Sequence, residues 1–234
     1  MYKRAHHRRI GQLLDAFDEE LLAETKCFFG GGTAITLLLD EYRECVAVDF
    51  ICASQEGYRR LRNVITQESL GALLKQPVPH RREVRADRYG IRTFLAIDDT
   101  PIKLEIVSEG RISVEGASES AFPIPCLSRV DMFAEKLLAN TDRGLDRSAL
   151  SRDIVDIAMM VRHWGDIPRT AWDKARGAYG ESVAKIFRST LMLIEDAGYL
   201  GKCLDGMAME KALGREIPAI VRSQLEQIPE EKRA

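Results

Sequence analysis

The chain has 234 residues, enough for one large domain or two small ones. Its 34 Lys and Arg against 36 Asp and Glu leave a formal charge of −2, which excludes a uniformly basic nucleic-acid coat but not a local basic patch. Hydrophobic residues at 45 % and charged residues at 30 % exclude a disordered chain, and no run approaches the roughly 18–20 apolar residues needed to cross a bilayer.

In chain order, residues 1–9 carry charge with no apolar core behind it, so no secretory signal is expected and the expected location is the cytoplasm, with no membrane partner. Ile10, Leu13, Leu14, Phe17, Leu21 and Leu22 recur at helical spacing and predict an opening amphipathic helix. The apolar piece Cys27-Phe28-Phe29 runs into Gly30-Gly31-Gly32-Thr33, and residues 34–39 read as a buried helix with Thr33 near its start. Residues 45–52 are β-rich and short, a central strand. Residues 55–74 return to helix, residues 84–97 read as a hairpin around Asp87-Arg88-Tyr89-Gly90, and residues 102–107 as a further strand. Phe122-Pro123-Ile124-Pro125 is the clearest punctuation, followed by expected helices at 128–141, 148–163, 168–178, 181–197 and 208–227. This layout predicts an α/β (α+β) domain over 1–125 and a helical domain over 126–234. Cys27, Cys45, Cys52, Cys126 and Cys203 are odd in number and lack a CxxC pair, so buried reduced thiols are expected.

Three pieces could carry chemistry. Glycines at 30–32 allow close approach of backbone N–H groups to a phosphate at a helix start, although a plain strand-to-helix turn accounts for them equally. Asp49 lies in a strongly apolar strand, where a carboxylate must be paired or bind a metal. Residues 47 and 49 share a strand face, which would suit two carboxylates on a divalent ion, but position 47 is alanine. Lys103 and Glu105 also share a face, either as the solvent side of an edge strand or with Glu105 as a further acid beside Asp49. Separately, Arg81, Arg82, Arg85, Arg88 and Arg92 cluster near the hairpin, as a solvated strand pair or as a phosphate-contacting RNA surface. The four histidines share no spacing and receive no role, and Trp164 and Trp172 read as packing residues.

The order of these pieces is more specific than any one of them. A Gly-Gly turn opening a helix, then an acidic strand, then another, resembles the polymerase-β-like nucleotidyltransferase superfamily. Gly31-Gly32-Thr33-Ala34-Ile35 followed by the run Tyr42 to Phe50 resembles the AbiEii/AbiGii-type toxins of abortive-infection, type IV toxin–antitoxin systems. The family's strand has the form Asp-x-Asp-Phe, and Asp49 matches its second aspartate. Phe133 to Ala139, with Lys136, and Arg152 to Ile157, with Asp153 and Asp156, resemble its Lys-containing and Arg-Asp-x-x-Asp motifs.

The resemblance implies a nucleotidyltransferase-like mixed sheet flanked by helices, a C-terminal helical bundle, and an active site between the domains. It implies transfer of a nucleotide from an NTP, with Mg²⁺ or Mn²⁺, to a hydroxyl of RNA (tRNA in some members) or of protein, and a cognate antitoxin as partner. Asp49 and Glu105, with the aspartate expected where Ala47 stands, would hold the metal. Gly31, Gly32 and Thr33 would hold phosphate oxygens, and Lys136 would offset phosphate charge. Asp153 or Asp156 would orient that lysine or act as a base, and Arg81, Arg82 and Arg85 would contact RNA. The alanine at 47 reads as a silencing replacement or a natural degeneracy, and either way predicts weak or absent activity. The rival expectation is an inactive fold that binds NTP, RNA or an antitoxin without transfer.

Overall fold

In the computed structural model of the chain, residues 2–117, 119 and 121–228 are described; the last six residues of the expected helical domain, 229–234, lie outside them. The backbone divides into two compact units, one of residues 1–41 and 45–128, the other of residues 42–44 and 129–234.

The first unit opens with α1 (Ala5–Ala16), whose Ile10, Leu13 and Leu14 are fully buried. The expected single opening helix is in fact two. The chain breaks at Phe17, which pairs with Leu74 in an isolated bridge, and restarts as α2 (Glu19–Glu24) under the Asp18 carboxylate, which accepts the Leu21 N–H at 2.7 Å. A good cap between two apolar turns outweighs continuity of the apolar spacing. Strand β1 (Cys27–Gly30) then leads into α3 (Gly31–Leu38), and β2 (Ala47–Cys52) follows.

Helix α4 (Gln55–Val64) starts on Ser54, whose hydroxyl accepts the Gly57 N–H at 3.1 Å. It stops ten residues short of the expected end. Gly71 takes φ +56°, and a β-carbon there would lie 1.9 Å from the Val64 carbonyl oxygen, so the chain folds back instead of continuing as helix. The hairpin of β3 (His80–Ala86) and β4 (Gly90–Ile97) turns on Asp87, whose carboxylate accepts the N–H groups of Tyr89 and Gly90. Strand β5 (Thr100–Ser108) follows, and the two short strands β6 (Gly116–Ala117) and β7 (Cys126–Leu127) were not expected.

The seven strands form one mixed sheet in the order β3-β4-β5-β2-β1-β7-β6, with β2–β5 and β1–β7 parallel. Val48, Phe50, Leu104 and Ile106 are fully buried on one face, where Phe50 meets the rings of Phe17 and Phe29 at 4.9 and 5.8 Å. The alternate residues Ala47, Asp49, Lys103 and Glu105 are only partly covered. All five cysteines are buried and unbridged.

The second unit holds α5 (Arg129–Arg143), α6 (Arg152–Trp164), α7 (Arg169–Tyr179), α8 (Ser182–Ile194), α9 (Ala197–Gly206) and α10 (Leu213–Ser223). Its core includes edge-on contacts of Trp172 with Phe187 and of Phe133 with Trp164. The expected helix over 208–227 is the shorter α10 with a 3₁₀ turn behind it, and α9 is an additional helix.

Candidate active-site residues

The expected site residues fall into two groups, one in each unit. In the first, Gly30 lies in register with Asp49 across the antiparallel β1–β2 pair, and Asp49 lies in register with Glu105 across the parallel β2–β5 pair. The glycine turn and both acids therefore occupy three neighbouring strands. Gly31 has φ +67°, and a β-carbon on it would stand 2.9 Å from Asp49 Oδ2. The absent side chain is what lets the carboxylate lie against the start of α3. Thr33 is buried, and its hydroxyl donates to the Ala47 carbonyl at 2.5 Å, tying α3 to β2.

Ala47 shares the half-covered face with Asp49 and stands in register with Lys103. Glu105 Oε2 accepts from Lys103 Nζ at 2.6 Å and Oε1 from Arg92 Nε at 2.7 Å. Burial would raise the Glu105 carboxyl, but these two cations hold it below its ordinary value. A divalent ion needs several oxygen ligands with unbalanced negative charge. Here one position offers a methyl group and one carboxylate is already balanced by two cations. Among the described residues no three His, Cys, Asp or Glu are grouped to hold a metal. The residues present do not fit the expected metal centre.

In the second unit, Lys136 on α5 is almost fully buried and its ammonium bonds Asp153 Oδ1 at 2.9 Å and Asp156 Oδ2 at 2.6 Å, both on α6. Residues three apart on a helix present to one neighbour, so a single lysine reaches both. Each carboxylate has a further cation. Arg143 forks onto Asp153 at 2.7 and 3.0 Å, and Arg43 forks onto Asp156 at 2.7 and 3.0 Å, with the Tyr42 hydroxyl donating to Asp156 at 2.6 Å. Burial would raise both aspartates; Lys136 with Arg143, and Arg43 with Lys136, hold them below the ordinary carboxylate range. Burial would lower Lys136, and the two aspartates raise it instead. The lysine is thus kept protonated, and neither aspartate is a strong base in this setting.

Tyr42, Arg43 and Arg143 were missed by sequence reasoning. Arg43 reaches Asp156 across 113 positions of sequence. The one legible sign was a charged, aromatic pair placed in a short connection between two apolar elements.

The arginine group is dispersed. Arg81 pairs with Asp99, Arg82 lies over the Phe94 ring at 4.9 Å, and Arg85 is exposed in register with Arg92. All three lie on β3, an edge strand of the sheet, where charged side chains also discourage edge pairing.

No helix among the described residues is long and apolar enough to cross a membrane. No curated protein matches the sequence. Among solved structures, a candidate nucleotidyltransferase from H. pylori overlays with TM-score 0.53 at 12% identity, covering 95% of this chain and 94% of that one. JHP933 from Helicobacter pylori overlays with TM-score 0.50 at 13% identity, covering 95% and 91%. At such identities the likeness establishes the fold, a nucleotidyltransferase-like mixed α/β arrangement. The family profile described as the nucleotidyl transferase AbiEii toxin of type IV toxin–antitoxin systems matches residues 12–228. With nearly its whole length matched, the chain belongs to the AbiEii family of nucleotidyltransferase toxins.

Proposed function

We propose that this chain is built to transfer a nucleotide from an NTP to a hydroxyl of RNA, tRNA included, or of protein, as the toxin of a toxin–antitoxin pair, and that Ala47 leaves the transfer weak or absent. One observation carries this: the Asp49 carboxylate lies against Gly31 at the start of α3, with position 47 next to it on the same strand face. That is an acid placed beside a backbone turn suited to phosphate, with its companion position occupied by a methyl group.

In the transfer, the acceptor hydroxyl oxygen bonds the α-phosphorus, its proton leaves to solvent or a base, and pyrophosphate departs. Backbone N–H groups at Gly31 and Gly32 would hold phosphate oxygens. Thr33, with its hydroxyl directed to the Ala47 carbonyl, would set the spacing of turn and strand rather than donate to phosphate. Lys136, kept charged by Asp153 and Asp156, would donate to the phosphates, and the two aspartates would orient it. The RNA role of Arg81, Arg82 and Arg85 is part of this proposal.

The test is Ala47→Asp, assayed with Mg²⁺ or Mn²⁺, each radiolabelled NTP and a total RNA pool or protein extract. Incorporation of label with release of pyrophosphate is expected. No incorporation with any triphosphate would overturn the transferase reading and leave the binding-module reading, which the incomplete metal centre favours.

A further inference from the structure

We propose that His7 and Glu41 are positioning residues: the His7 imidazole, seated on the Glu41 carboxylate, fixes the short connection that carries Tyr42 and Arg43, and so keeps the Arg43 fork on Asp156. The effect on Arg43 stands on geometry alone. Its bearing on transfer rests on reading Lys136 as the cation that meets the phosphates, because Lys136 shares Asp156 with Arg43.

The chain between α3 and β2 takes a path that it would not favour by itself. Asp40 and Glu41 follow α3 with φ +62° and +61°, and two successive left-handed residues that both carry side chains are unfavourable. The start of the chain supplies a grip from outside. The Lys3 N–H donates to Glu41 Oε1 at 2.6 Å, the Arg4 N–H to Oε2 at 2.9 Å, and Arg4 Nε to the Glu41 carbonyl at 3.3 Å. Lys3 also pairs through its ammonium with Asp40. Burial would raise the Glu41 carboxyl, but the two backbone donors and His7 hold it below its ordinary value. It is therefore ionised and acts only as an acceptor.

His7, fully buried on α1, uses both ring nitrogens on this connection. The Cys45 N–H donates to Nε2 at 3.1 Å, so the ring proton sits on Nδ1 and is donated to Glu41 Oε2 at 2.8 Å. Burial pushes the imidazole below its ordinary value, against the pull of Glu41, which keeps it in the neutral form that this arrangement needs. One side chain thus holds residue 41, where the connection begins, and residue 45, where it ends. The Cys45 thiol adds a contact to the Thr36 hydroxyl at 3.3 Å.

Residues 42–44 lie between those two fixed points. Within them the Tyr42 hydroxyl and the Arg43 guanidinium reach Asp156, and the Glu44 N–H donates to the Met207 carbonyl at 2.9 Å. A guanidinium meets a carboxylate through two parallel bonds only in one orientation, so the fork is the first thing that a shift of this backbone undoes. Asp156 is fully buried, and without the fork its charge falls to Lys136 and the Tyr42 hydroxyl. The ammonium is then drawn onto Asp156 and away from the position that it shares with Asp153.

Exchange of N–H protons with water, followed by NMR on the nitrogen-labelled full chain, tests this. The reporter is the Arg43 Nε–H, which is bonded to Asp156 at 2.7 Å. Two controls follow the units themselves: the Phe29 N–H, bonded to the Pro125 carbonyl at 2.9 Å, and the indole N–H of the fully buried Trp172. His7→Ala should speed exchange at Arg43 Nε by about tenfold, the scale of one lost hydrogen bond, and leave both controls unchanged. Glu41→Gln, which keeps the shape and removes the charge, should act in the same direction and carries the test if His7→Ala does not fold. No change at Arg43, or acceleration of equal size at Arg43 and the controls, overturns the proposal, since the second result marks a general loss of stability. Transfer is read separately with Ala47→Asp. If that variant incorporates no label while the Arg43 difference stands, the nucleotide-transfer reading fails and the positioning of Arg43 remains.

Discussion

A single missing β-carbon holds the Asp49 carboxylate where it is. Gly31→Ala must place a methyl group 2.9 Å from Asp49 Oδ2 while keeping φ at +67°, a conformation costly for alanine. Either α3 gives way or Asp49 rotates out. A loss of about 1–3 kcal/mol is expected, measured by urea unfolding. In the Ala47→Asp background the same change should also abolish label transfer, because the acid leaves the glycine turn. Glu105 illustrates the limit of residue-by-residue reading. Its type suggests a ligand, but its neighbours Lys103 and Arg92 have already balanced it, and only the register of three strands reveals that.

At the scale of elements, caps decide where helices begin as much as apolar spacing does. Helix α9 starts on Asp196, which accepts the Tyr199 N–H at 2.9 Å. Asp196→Ala should cost about 1 kcal/mol, seen as a lower urea midpoint with the same slope. The glycines at 198, 201 and 206 dilute the helical pattern of this segment, so α9 was not legible in advance. Strand β2 was legible because Val46, Val48, Phe50 and Ile51 fall within six residues, and the hairpin because Asp87 to Gly90 is a strong turn. The break at Phe17 and the end of α4 were not, since both depend on distant residues, Leu74 in one case and the fold-back at Gly71 in the other. The same division holds for the candidate site. Motif order pointed to Gly31, Asp49, Lys136, Asp153 and Asp156. The arginines that pair with the two aspartates, Arg43 on Asp156 and Arg143 on Asp153, come from outside α6 and carry no local signature.

At the scale of the whole molecule, the buried ion cluster of the helical unit makes its stability a function of pH. Asp153 and Asp156 ionise at lower pH when folded than when unfolded, where the ordinary value is about 3.9. Their contribution is complete above that value and is lost as pH falls through the folded values. Lys136 is shifted the other way, so its contribution is complete below the unfolded value of about 10.4 and is lost as pH rises through the folded one. The cluster's own share of stability, read from urea midpoints across pH, should therefore show a plateau from about pH 5 to about pH 10. Lys136→Met should lower that plateau by about 3 kcal/mol and remove the part of the alkaline decline due to this lysine. The cluster also includes Arg43, which belongs with Asp156 although it lies between α3 and β2 in sequence. The gene therefore has no single point at which the two units part. A cut after residue 128 gives one fragment that carries Tyr42 and Arg43 without the carboxylate they serve, and another in which Asp156 is buried with only Lys136 to answer it. Inheritance, truncation and recombination must treat the two units as one piece: three residues lent by the first half make the second half incomplete alone.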